Sequence, residues 1–191
     1  MDGDTSYALG VAIASRFKDM VDEFDCDYEA LTLGFREYLE DKETKVTPDQ
    51  AIALVMEAQK NMYKEKEAAF FLENGKKAGI QTTQSGLQYE VVAEGTGAKP
   101  GAADTVLVHY EGKLLDGTVF DSSYSRGEPM EFPLQGIIPG WTEGLQLMGV
   151  GSKYRLFIPF ELGYGNQGAG NVIPPYSTLI FEVELLDIIK G

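Results

Sequence analysis

From Thr47 to Gly79 the chain offers nothing that would stop a helix early, and this stretch limits its possible folds more than any other. Thr47-Pro48-Asp49-Gln50 supplies a capping hydroxyl, a first-turn proline and a glutamine three positions on, which together satisfy N–H groups that a helix start leaves unpaired. The next breakers are Gly75 and Gly79, so the pattern predicts a helix over 48–78, about 31 residues and roughly 46 Å long at 1.5 Å per residue. That exceeds the width of a small domain. Upstream, Tyr7, Leu9, Val11, Ile13, Phe17, Met20 and Val21 predict a first short helix. Tyr28, Leu31, Leu33, Phe35 and Leu39 predict a second, with Asp27 as its cap. Two short helices cannot also hide Ile52, Val55, Met56, Met62, Phe70 and Phe71 of the long one. The apolar surplus predicts a homodimer through the N-terminal helices.

After Gly79 the apolar period drops from helical to two. Leu87, Tyr89 and Val91 alternate with polar residues, as do Tyr154, Leu156 and Ile158, and Leu179, Phe181, Val183 and Leu185; Val106, Val108 and Tyr110 recur with the same period. Asp116-Gly117 supplies a tight turn between two strands, and one short helix, Trp141 to Met148, interrupts them. The expected fold class is α+β: an all-helical N-terminal region over 1–80 with a long connecting helix, then over 81–191 an antiparallel sheet wrapped on one short helix.

Composition excludes several functions. The 191 residues are 43% hydrophobic and carry a formal net charge of −14. Nucleic acid and anionic membrane surfaces both demand a basic patch, so neither is an expected partner. No apolar run approaches the roughly 18 residues of a membrane span, so no membrane insertion is expected. Cys26 is the only cysteine and reads as a helix-packing residue; no intrachain disulfide and no Cys/His zinc site can form. His109, the lone histidine, has no nucleophile or acid beside it in the pattern and reads as non-catalytic. The acidic start Met1-Asp2-Gly3-Asp4 lacks the basic region of a secretory signal, so the chain reads as cytoplasmic, or periplasmic or surface-bound if a signal has been removed.

The last third carries the chemistry. Val108-His109-Tyr110, Asp116 to Ser123 (DGTVFDSS), Ile137-Ile138-Pro139-Gly140-Trp141, Gly163-Tyr164-Gly165, Ile173-Pro174-Pro175 and Phe181 to Leu186 (FEVELL) bring aromatic and branched residues onto separate segments, with little that could attack a substrate. Each aromatic taken singly is more often core than ligand-binding. Gly163 to Gly168 also satisfies G-x-G-x-x-G, but it runs into Pro174-Pro175 rather than opening a helix, so a dinucleotide site is rejected. Taken in order, the strings resemble the FKBP-type (macrolide-binding) peptidyl-prolyl cis-trans isomerases from about Gly86 to the C-terminus. The helical region is similar to that of the dimeric bacterial FKBPs of the macrophage infectivity potentiator group.

The resemblance implies an isomerase without cofactor or metal, acting on X–Pro bonds of unfolded or flexible polypeptides and assisting folding, with macrolides as further ligands. It implies that a prolyl ring sits over Trp141, walled by Tyr110, Phe120, Ile138 and Phe181, with Ile137 giving backbone contacts at the rim. Tyr164 would donate to a substrate carbonyl. Asp121, held by Tyr110 and Arg126, would polarise the twisting amide. Val172 and Ile173 would form the apolar tip of an overhanging loop. Met130 stands where a wall phenylalanine is expected and Ala169 where a histidine is expected, and the segment between Phe132 and Trp141 is about two residues shorter than the family pattern. Two rival readings are a peptide-binding chaperone clamp without turnover and a structural dimer; retention of both Asp121 and Tyr164 favours the enzyme.

Overall fold

Asp2 opens the first helix, its side chain accepting the Thr5 N–H at 2.7 Å. The computed structural model describes residues 2–189. Helix α1 spans Gly3–Glu23, 21 residues rather than the short helix predicted, because nothing in the sequence interrupts it before the turn at Asp25, whose φ is +47°. Helix α2 (Tyr28–Leu39) starts where expected, with Asp27 accepting from the N–H groups of Glu29 and Ala30. Helix α3 (Pro48–Asn74) begins on the predicted capping box: Thr47 N–H donates to Gln50 Oε1 at 3.0 Å, and Gln50 N–H to Thr47 Oγ1 at 3.3 Å.

The helix ends four residues sooner than the sequence suggested. Asn74 is buried, donating its amide to Gln88 Oε1 at 2.9 Å, while Gln88 Nε2 donates to the Phe71 carbonyl at 2.9 Å. A Cβ on Gly75 would meet that Gln88 amide at 2.9 Å, so the glycine admits the contact that stops the helix.

The chain falls into two compact units, one up to Gln59 and one from Lys60, so the division lies inside α3 rather than at the change of apolar period. In the first unit Tyr7, Leu9, Phe17, Tyr28, Phe35, Ile52, Val55 and Met56 are all exposed, and no residue of α2 is buried. No helix among the described residues is long and apolar enough to cross a membrane.

The second unit holds the second half of α3 and a seven-stranded antiparallel sheet. Its elements are β1 (Ile80–Thr82), β2 (Gln88–Ala93), β3 (Thr105–Leu114), β4 (Val119–Ser122), the one-turn helix α4 (Ser123–Arg126), β5 (Met130–Pro133), α5 (Pro139–Leu147), β6 (Lys153–Ile158) and β7 (Leu179–Ile189). Strand order is β1-β2-β6-β7-β3-β4, with β5 on the first half of β3 beside β4 on its second half. The strands β1 and β5 were not read from the sequence; both are four residues or fewer and too short to show a period. Helix α5 starts two residues before the predicted Trp141, since Pro139 in the first turn has its φ preset for a helix.

Alternation sets the two faces of the sheet. Val106, Val108, Leu156, Leu179, Val183 and Leu185 are fully buried and pack with Leu145 of α5, each such side chain contributing roughly 1.5–3 kcal/mol relative to exposure. The opposite face carries Glu90, Arg155 and Glu182, joined by ion pairs of 2.8 and 3.2 Å from Arg155.

Candidate active site

The sheet, α5 and the loop over 163–176 enclose a cavity of about 500 Å³ in the second unit. Trp141, in the first turn of α5, is 4% exposed and forms the floor. Tyr110 from β3, Phe181 from β7 and Phe132 from β5 each meet its ring edge to face, with centroids 5.1, 5.1 and 5.3 Å away. Phe120 meets Phe181 the same way at 5.4 Å. Gly112 on β3 makes this possible: a Cβ there would stand 2.6 Å from ring carbons of both Phe120 and Phe181. The indole Nε1 of Trp141 is buried, and none of the described residues accepts a hydrogen bond from it.

The polar rim follows from the local sequence at β4. Asp121 is the half-buried penultimate residue of β4, Ser122 caps α4 by accepting the Ser125 N–H, and one turn brings Arg126 back beside Asp121. Buried Ser123 binds both the N–H and the carbonyl of Tyr110, at 2.7 and 3.2 Å, which locks this turn to β3. The Tyr110 hydroxyl donates to Asp121 Oδ2, Arg126 Nη1 donates to Asp121 Oδ1, and Arg126 Nη2 donates to the Tyr110 oxygen at 2.9 Å. Burial pushes the Asp121 carboxyl up, but these hydrogen bonds outweigh it and hold the group below the usual carboxylate range. Burial, and then the bond to Asp121, pushes the Tyr110 hydroxyl up to about 12.

The overhanging loop supplies the remaining wall. Ala169 and Ile173 exchange backbone hydrogen bonds of 2.9 and 3.1 Å, closing a tight hairpin. Gly168, just before this hairpin, lies at φ +65° with the chain packed so closely that a Cβ would lie 2.1 Å from the Ile173 carbonyl. Ile173 is buried against the core, whereas Val172 at the tip is 58% exposed. Tyr164 lies at the mouth, 39% exposed, and no hydrogen bond within the described residues engages its hydroxyl.

Of the residues expected from the sequence, Tyr110, Phe120, Asp121, Ile137, Ile138, Trp141, Tyr164, Val172, Ile173 and Phe181 line this one cavity. Met130 does not. It pairs with Val108 at the start of β5 and packs against the core, while Phe132, two residues on and on the same face, lines the cavity instead. Period-two alternation across Met130-Glu131-Phe132 was the signal that could have found it. Arg126 is likewise outside the lining and acts through Asp121 and Tyr110. Gly136, Ala169 and Gly170 complete the wall. A second cavity of about 530 Å³, on the other face of the sheet, differs in kind: its Arg155 pairs with Glu90 and Glu182, and its Lys113 with Glu111 at 2.7 Å.

An aromatic box with one restrained carboxylate and one open hydroxyl at its mouth has the shape and chemistry to receive an apolar ring with polar groups beside it. Residues 96–186 match the family model of FKBP-type peptidyl-prolyl cis-trans isomerases, and residues 2–91 match the domain amino-terminal to such isomerases. The chain is 45% identical to the FKBP-type 22 kDa peptidyl-prolyl cis-trans isomerase of Escherichia coli strain K12, covering 99% of this chain and 96% of that one. It is 37% identical to the outer membrane protein MIP of Legionella longbeachae, over 97% of this chain and 85% of that one. The crystal structure of FkpA from Escherichia coli superposes with a TM-score of 0.63 at 37% identity, over 99% of this chain and 98% of that one. The chain therefore belongs to the FKBP-type peptidyl-prolyl cis-trans isomerases, and it is an enzyme.

Proposed function

We propose that Asp121, Tyr110 and Tyr164 are the catalytic groups and that Trp141, Phe120, Phe181, Ile137, Ile138, Val172 and Ile173 bind the proline and its neighbours. Phe132 joins them as a wall, and Arg126 positions Asp121. The observation that carries this reading is the Tyr110–Asp121–Arg126 network at the mouth of an aromatic cavity. An X–Pro bond turns slowly because partial double-bond character raises a barrier of about 18–20 kcal/mol. Water stabilises the planar, dipolar amide better than the twisted one, so seating the prolyl ring on Trp141 away from water favours the twisted form. The Asp121 carboxylate faces the carbonyl carbon as resonance is lost, and the Tyr164 hydroxyl donates to a neighbouring substrate carbonyl. Tyr110 and Arg126 keep Asp121 ionised and fixed, so little reorganisation accompanies the twist.

The substrates of this reading are proline-containing unfolded or flexible polypeptides. The cavity lies within the roughly 300–1,000 Å³ range of small-molecule sites, which supports macrolides as competing ligands. Quenching of Trp141, the single tryptophan, tests both: a proline peptide and a macrolide should quench it competitively, and Trp141-silent binding overturns the assignment.

The exposed apolar residues of α1, α2 and the first half of α3 support a homodimer through these helices. In functional terms the helical dimerisation region is proposed to run over 1–80 and the isomerase domain over 81–191, since every proposed site residue lies beyond 80. For the compartment, the outer-membrane name of the Legionella relative supports the periplasmic or surface reading over the cytoplasmic one. Fractionation of cells expressing the chain from its own gene decides it, and recovery with the envelope overturns the cytoplasmic reading.

A further inference from the structure

The loop that overhangs the cavity is held by a chain of contacts that leads away from the site to α3. Tyr164 lies between Gly163 and Gly165, and the N–H groups of both donate to the Phe160 carbonyl, at 3.0 and 2.9 Å. The N–H of the same Phe160 donates to Glu67 Oε1 of α3 at 2.8 Å. That single carboxylate oxygen also accepts from Thr178 Oγ1, which is buried at the loop's far end, at 2.7 Å. One turn earlier on the helix, Tyr63 stacks on Tyr176 with centroids 5.6 Å apart and planes 18° apart. Tyr176 is a non-glycine residue held at φ +59°, a conformation that costs energy unless its surroundings impose it. Its N–H donates to the Gly165 carbonyl at 2.9 Å, which returns the path to Tyr164, and Lys64 pairs with Glu161 at 3.1 Å beside it.

We propose that the turn of α3 from Tyr63 to Glu67 is a positioning element that pins both ends of the 160–178 loop and so fixes Tyr164 at the cavity mouth. Glu67 is a positioning residue: among the described residues its oxygen is the acceptor for both donors, and it lies outside the cavity lining. The long helix is thereby part of the isomerase machinery as well as a connector. The consequence for turnover rests on the assignment of Tyr164 and Ile173 to the site.

The test uses the full chain and two readouts: hydrogen exchange of the amides in 160–178, and kcat/KM on a short proline peptide. Glu67→Ala removes the acceptor and should raise exchange across the loop while lowering kcat/KM several-fold through misplacement of Tyr164. Glu67→Gln keeps a carbonyl oxygen in the same place and should restore both, which a general loss of stability does not predict. If Glu67→Ala does not fold, Thr178→Val removes one of the two donors and should raise exchange locally by a smaller factor. Unchanged loop exchange in Glu67→Ala, or a Glu67→Gln variant as impaired as the alanine, overturns the pin. Faster exchange with unchanged turnover upholds the pin and removes the loop from the proposed site instead.

Discussion

Asp121 is 40% exposed at its side chain, yet its charge state is decided by two neighbours. Its folded pKa lies below the unfolded value, so the stability it contributes is fully present above the ordinary carboxylate range and is lost as pH falls through the folded pKa. Burial and the Asp121 charge push the Tyr164 hydroxyl up as well. Turnover should therefore be flat from above the carboxylate range to the ordinary tyrosine range, with both tyrosines protonated. A bell centred near neutrality in the peptide assay contradicts this, because it requires a general acid–base pair. Asp121→Leu should lower kcat/KM about tenfold or more, and Tyr164→Phe less, since the ring remains and only one hydrogen bond worth about 0.5–1.5 kcal/mol goes. Equal turnover in both variants and the parent removes the polar half of the mechanism. Trp141→Ala should cost about 3–5 kcal/mol in denaturant unfolding as well as abolish ring binding. Gly112→Ala should lose roughly 1–3 kcal/mol by overpacking and weaken ligand binding, because the new methyl displaces Phe120 or Phe181; a fully stable variant contradicts the close approach at Gly112.

At the scale of elements, what the sequence revealed was local. The Thr47–Gln50 capping box, the Asp27 cap and the alternation of β3, β6 and β7 are each complete within a few residues, and the structure has them where the pattern put them. What escaped was long-range. The end of α3 is set by Asn74 and Gln88, 14 residues apart, and no propensity at Asn74 announces it. Glu67 reads as one more charge on a helix face; its partners lie 93 and 111 residues away. The candidate site was legible because its strings recur as a set; Met130, named from its place in that set, packs against the core, while Phe132 on the same strand face lines the cavity. A truncation follows from the long-range part. A chain beginning at Lys60 should keep peptide turnover near that of the full chain, while one beginning near Thr82 keeps every cavity residue but loses Tyr63 and Glu67 and should turn over several-fold more slowly. Equal rates for the two truncations in the peptide assay contradict that difference.

For the whole molecule, the helical unit and the isomerase unit should separate in function. The full chain should sediment as a dimer at micromolar concentration, and the chain from Lys60 as a monomer, since the exposed Tyr7, Phe17, Phe35 and their neighbours are removed. The monomer should match the dimer on short peptides but lag on a refolding protein, where two linked cavities raise the effective concentration of the second for one client. A monomeric full chain, or equal rates on the refolding protein, ends the idea that two cavities act on one client.

The junction at the end of α3 has a chemical side as well. Asn74 precedes Gly75, the pairing in which a side-chain amide is most easily attacked by the next backbone nitrogen, because glycine offers no steric shield. Here that nitrogen is engaged: its N–H donates to the Phe71 carbonyl at 2.9 Å, while the Asn74 amide is tied to Gln88 and Lys77. Ring closure to a succinimide requires these bonds to break together, so it proceeds only in molecules where the junction has opened. Where the ring does close, ammonia leaves, and hydrolysis of the succinimide gives an aspartate or isoaspartate that cannot donate to Gln88 as the amide does. The fraction of molecules converted at Asn74 should therefore rise with the population of the opened junction, which intact-mass measurement of aged protein checks.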